Sequence, residues 1–119
     1  MAPMSPTAHR PLMVLVIALT VATALIHLLL GLSYGMGLFV LNGIGFLGLL
    51  LLMYAPVDAL RPVQPAVRYV LIAYTALTLV LYFVMAGQAD PLALITKAIE
   101  ALLILCLVVE ALRARRPAA

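Results

Sequence analysis

Four long apolar runs, separated by short breaks that carry the polar and proline residues, dominate the pattern along the chain. They predict helices at about Leu12 to Leu32, Gly37 to Tyr54, Val67 to Ala86 and Leu92 to Leu112. Each is close to the roughly 20 residues that a helix needs to cross a hydrocarbon core. All eight prolines fall outside the runs, as expected where a residue without an N–H is confined to connections. The links at Ser33 to Gly35 and Gly87 to Pro91 are short, so sequential helices should pack antiparallel. The fold class expected is all-α, a four-transmembrane-helix antiparallel bundle over residues 12–112.

The flanks read differently. Residues 1–11, MAPMSPTAHRP, hold three prolines and no apolar periodicity, which predicts an irregular tail; residues 113–119 form a short basic tail. Arg10, the apolar run and the triplet Ala22-Thr23-Ala24 have the outline of a cleavable signal peptide. The run continues unbroken to Leu32, which favours a retained first span.

Composition agrees with the pattern. Of 119 residues, 67% are hydrophobic and 9% charged, too apolar for a soluble domain. The net charge of +3 reads as topology rather than nucleic-acid binding, because of where the charges fall. Arg10, Arg61, Arg68, Arg113, Arg115 and Arg116 share one side of the expected bundle, whereas the other side has only the embedded Lys97. The positive-inside rule then places both termini in the cytoplasm of a multi-pass cell-membrane protein. The single cysteine, Cys106, lies inside the last run and supports no disulfide framework.

Depth is the more informative coordinate. Counting about 1.5 Å of rise per residue from the outer end of each span puts His27, Asn42, Tyr82 and Lys97 roughly 6 to 8 Å deep, with Thr78 and Glu100 at about 12 Å. No comparable layer is expected in the inner half. Thr20, Thr23, His27 and Gly31 form one stripe; Asn42, Gly45 and Gly48 another; Thr75, Thr78 and Tyr82 a third; and Thr96, Lys97 and Glu100 cluster on the fourth helix. Small and polar residues mark helix contacts in membranes, and embedded charges turn inward to partners. Lys97 and Glu100, three residues apart, share a helix face. The layer therefore reads first as a fastener between helices, and second as an outward-facing pocket with His27 and Glu100 as titratable groups.

Single residues offer further chemistry. His27 could ligate a haem or pigment, but the other histidine, His9, lies in the tail; no cofactor is the expectation. Glu100 could carry a proton or cation, although Lys97 stands beside it to neutralise it. Tyr34, Tyr54 and Tyr69 fall near span ends as interfacial anchors. There is no phosphate loop, nucleophile triad or metal-ligand spacing.

The segments IHLLLGL (26–32), LFVLNGIGFLGLLLL (38–52), RYVLIAYTALTLVLYFV (68–84) and PLALITKAIEALLILCL (91–107) resemble the successive blocks of a family of small four-helix prokaryotic membrane proteins of unknown function. His27 with Gly31, the glycine-rich second span, Tyr74-Thr75-Ala76 and Lys97 carry the resemblance. It implies the four-helix architecture and no activity. The expected function is that of a non-catalytic accessory or structural subunit of a larger prokaryotic membrane complex, of the electron-transfer or photosynthetic kind. The alternative is a small homo-oligomeric transporter or channel that uses Lys97 and Glu100. Expected partners are membrane lipids and either other membrane subunits or further copies of the chain, with no nucleic acid.

Overall fold

The structure, a computed structural model, describes residues 6–85 and 91–115. Four α-helices follow one another: α1 (Pro6–Tyr34), α2 (Gly37–Tyr54), α3 (Gln64–Met85) and α4 (Pro91–Arg115), with a single 3-10 turn, Asp58–Leu60, before α3. All four are long and apolar enough to span a membrane. The expected link between the third and fourth spans, apart from Pro91, lies outside the described residues, as do residues 1–5 and 116–119.

Two boundaries depart from the sequence reading. Residues 6–11 are helical rather than irregular, and Pro11 lies inside α1. Pro6 takes the first helical position, where a missing N–H removes nothing, and Pro11, in the second turn, removes one bond of the ladder. α3 begins at Gln64 rather than Val67. The Gln64 side-chain amide donates to the carbonyls of Leu52 (3.2 Å) and Ala55 (2.7 Å), so it supplies partners that the end of α2 cannot find within its own helix.

The link from α1 to α2 is equally tight. Gly35 has φ +66°, and Met36 N donates to Gly31 O at 2.8 Å. This is the Schellman arrangement, in which a left-handed residue just past the helix end lets the next N–H bond back to an orphan carbonyl. Gly31 and Gly35 thus serve in a helix stop. Gly31 also lets α2 approach, since a Cβ there would meet the Val40 side chain at 2.6 Å and its backbone N at 2.8 Å.

The contacts give the topology. Gly43 lies against Ala24 and Leu28, while Gly31 lies against Val40, so α1 and α2 run in opposite directions. Asn42 meets Thr78, and Leu52 meets Gln64; Arg68 meets Glu110, and Tyr82 meets Lys97. The same reversal therefore holds for α2 with α3 and for α3 with α4. α1 also packs on α4, which closes an antiparallel four-helix ring.

Val16, Ala24, Phe46, Leu50, Met53, Leu71, Leu103 and Leu107 form the apolar core. Outside it, large apolar side chains are exposed on every helix, among them Leu29, Leu41, Leu51, Leu77, Val84 and Leu105. Such a surface suits a lipid solvent and would be a liability in water. Among the glycines of α2, Gly43 and Gly45 are the closely packed ones, Gly45 against the Tyr74 ring, whereas Gly48 meets nothing. Of the stripe expected from Asn42, Gly45 and Gly48, the first two face α3 and the third packs on nothing, while Gly43 faces α1.

Candidate functional site

The helical period places Val16, Thr20, Thr23, Ala24 and His27 on one buried stripe of α1, and Thr96, Lys97, Glu100, Leu103 and Leu107 on one buried stripe of α4. The stripes face each other. Several threonines satisfy themselves locally: Thr20 Oγ1 donates to Val16 O (2.6 Å), Thr75 to Leu71 O (2.7 Å) and Thr96 to Leu92 O (2.8 Å). Turned back onto their own helix, they behave as small fillers between helices. Thr23 instead reaches across.

Thr23 Oγ1 donates to Glu100 Oε2 at 2.9 Å, and Lys97 Nζ donates to Glu100 Oε1 at 2.8 Å. Both carboxylate oxygens are therefore held, on a residue with no solvent-accessible surface. His27 completes the network. Its Nδ1 is 2.7 Å from Thr23 O, and a carbonyl can only accept, so Nδ1 carries the hydrogen. Nε2 is then turned toward Glu100 Oε2, 3.7 Å away. The imidazole packs between Phe39 and Phe46, with ring centroids at 5.6 and 5.9 Å. Among the described residues, no group of three His, Cys, Asp or Glu is placed to hold a metal ion.

Lys97 Nζ also stands 5.0 Å from the centroid of the Tyr82 ring, a cation–π contact strengthened by the lack of water. Four of the six residues singled out from depth, His27, Tyr82, Lys97 and Glu100, are thus brought together. The other two, Asn42 and Thr78, form a separate pair between α2 and α3, with Thr78 Oγ1 3.3 Å from Asn42 Oδ1. Tyr74 Oη donates to Asn42 O at 2.8 Å and closes the α2–α3 seam at that level. Beyond it, toward the end where α1 meets α2, the seam opens into a cleft of about 420 Å³. His27 and Lys97 form its floor, and Phe39, Asn42, Leu81 and Tyr82 are among its walls.

A second polar cluster overturns the expectation that the opposite half holds no comparable layer. Glu110 Oε1 accepts from Arg68 Nε at 2.9 Å, and Glu110 Oε2 accepts from Tyr54 Oη at 2.6 Å. The ion pair is largely buried, with side-chain exposures of 17% for Arg68 and 11% for Glu110. Tyr54 is therefore a hydrogen-bond donor within the bundle, whereas Tyr34 and Tyr69 are exposed as interfacial residues would be. A signal was present: Glu110 is a second carboxylate inside the expected fourth span, where an unpaired charge is costly. Thr23 as a ligand of Glu100 was likewise on the α1 stripe, undistinguished from its neighbours.

No curated protein and no solved structure matches the chain. A family model does, and over residues 2–110 it covers all four helices apart from the last residues of α4. By that match the chain belongs to DUF7475, a family of unknown function.

Proposed function

We propose that the protein is a non-catalytic accessory or structural subunit of a larger prokaryotic membrane complex, of the electron-transfer or photosynthetic kind, with both termini cytoplasmic. The observation that carries this reading is the closure of the charge network. Glu100 has both oxygens bonded and no exposed surface, and no buried side-chain nitrogen or oxygen among the described residues lacks a hydrogen-bond partner. A carrier site must exchange partners with its cargo, whereas a buried carboxylate with both oxygens engaged holds helices in place. The apolar side chains exposed on every helix offer surface to neighbouring subunits as well as to lipid. Affinity purification in mild detergent, followed by native mass measurement, tests the proposal. Stoichiometric co-purification of other membrane proteins is the expected result.

A small homo-oligomeric transporter is the second reading, favoured by the cleft that reaches Lys97 beside Glu100. A symmetric assembly of this chain alone, together with ion flux in proteoliposomes that Glu100→Gln abolishes, would put it first.

A further inference from the structure

We infer that the cleft between α2 and α3 binds a bilayer-dissolved molecule with an apolar body and a neutral carbonyl oxygen as its head. This inference is independent of the subunit reading, since it concerns a pocket built entirely by this chain.

The chemistry of the walls selects the class. Met36, Leu38, Phe39 and Leu81 supply apolar surface, and the volume of about 420 Å³ falls in the range of small-molecule pockets. Two of the polar groups that border it, Asn42 and Lys97, are donors with capacity to spare. The oxygens of Asn42 are engaged, Oδ1 by Thr78 and the main-chain carbonyl by Tyr74. Its Nδ2 hydrogens have no partner among the described residues, on a side chain that lines the cleft. Lys97 is more than nine-tenths buried and lines the floor; its ammonium has three hydrogens, of which Glu100 Oε1 takes one. Two donors bordering an apolar cleft call for an acceptor.

Charge decides between neutral and anionic acceptors. Glu100 already neutralises Lys97 at 2.8 Å, so the floor carries no net charge while His27 is neutral. An anionic head would stand near the Glu100 carboxylate in a medium of low dielectric, where the repulsion is large and the desolvation unfavourable. A ketone, ester or quinone-type oxygen accepts the same hydrogen bonds without that penalty.

The test uses the full chain in lipid nanodiscs and a photoreactive decyl methyl ketone, with labelled peptides identified by mass spectrometry. Labelling is expected within residues 36–42 and 78–82, competed by decyl methyl ketone but not by decane or decanoate. Asn42→Leu removes the amide donors and should lower labelling about fivefold, as the loss of one neutral hydrogen bond would. Labelling spread along the lipid-facing leucines overturns the site, and so does equal competition by decane. Stronger competition by decanoate overturns the neutral head. Should Asn42→Leu fail to fold, Leu81→Trp fills the cleft from its wall, and undiminished labelling in that variant overturns the proposal equally.

Discussion

Thr23 on α1 donates its hydroxyl hydrogen to Glu100 Oε2 on α4 at 2.9 Å, joining residues 77 positions apart. This bond ties the first helix to the last at a level where lipid would supply no competing partner. Together with Lys97 on the other oxygen, it turns a carboxylate that would be prohibitive inside a membrane into a crosslink.

Breaking half of that crosslink is expected to be worse than removing it. Glu100→Gln leaves the Lys97 ammonium buried without its counter-charge, and the loss should be about 3–5 kcal/mol. Lys97→Met combined with Glu100→Gln should recover much of it. Thermal unfolding in detergent measures both. Equal losses in the single and double variants would show that the pair does not act as a unit.

Glycine substitutions in α2 should separate a packed position from a free one. A Cβ at Gly43 would stand 2.8 Å from the Ala24 carbonyl oxygen, a backbone atom that cannot step aside, whereas a Cβ at Gly48 meets nothing. Gly43→Ala is therefore expected to destabilise by about 1–3 kcal/mol. Gly48→Ala should stabilise by roughly 0.5–1 kcal/mol, because alanine loses less freedom in a helix. Unfolding midpoints that move in the same direction would contradict the α1–α2 packing.

The Arg68–Glu110–Tyr54 cluster gives a graded series. Tyr54→Phe removes one hydrogen bond to a carboxylate and should cost about 1.5–3 kcal/mol. Arg68→Leu leaves Glu110 without a cation and should cost more. The order of the two melting temperatures is the readout, and a reversed order would mean that Arg68 is held mainly by solvent.

Topology is open to direct measurement. The non-embedded basic residues predict cytoplasmic termini, so reporters fused after Pro117 and within residues 87–90 should give opposite signals. Matching signals would mean that α4 does not cross, and would overturn the count of four spans.

By itself the sequence determined the number of helices, their approximate spans and the inward turn of Lys97 and Glu100. Each of these follows from a local quantity: the length of an apolar run, the spacing of three residues on one helix, the penalty of a charge in lipid. The start of α1 at Pro6 was lost because proline punctuates most helices, yet it is tolerated in a first turn where its N–H has no partner to lose. Glu110 could have been recognised as an ionisable residue inside the fourth apolar run, but not its partners. Only the tertiary structure decided that Thr23, rather than Thr20, reaches Glu100, that Gly43 and not Gly48 meets α1, and that Arg68 and Tyr54 share Glu110. Those outcomes depend on the rotation of each helix about its own axis. In a chain whose lipid-facing and core-facing residues are equally apolar, hydrophobicity does not specify that rotation, and it is set instead by close contacts and hydrogen bonds between helices.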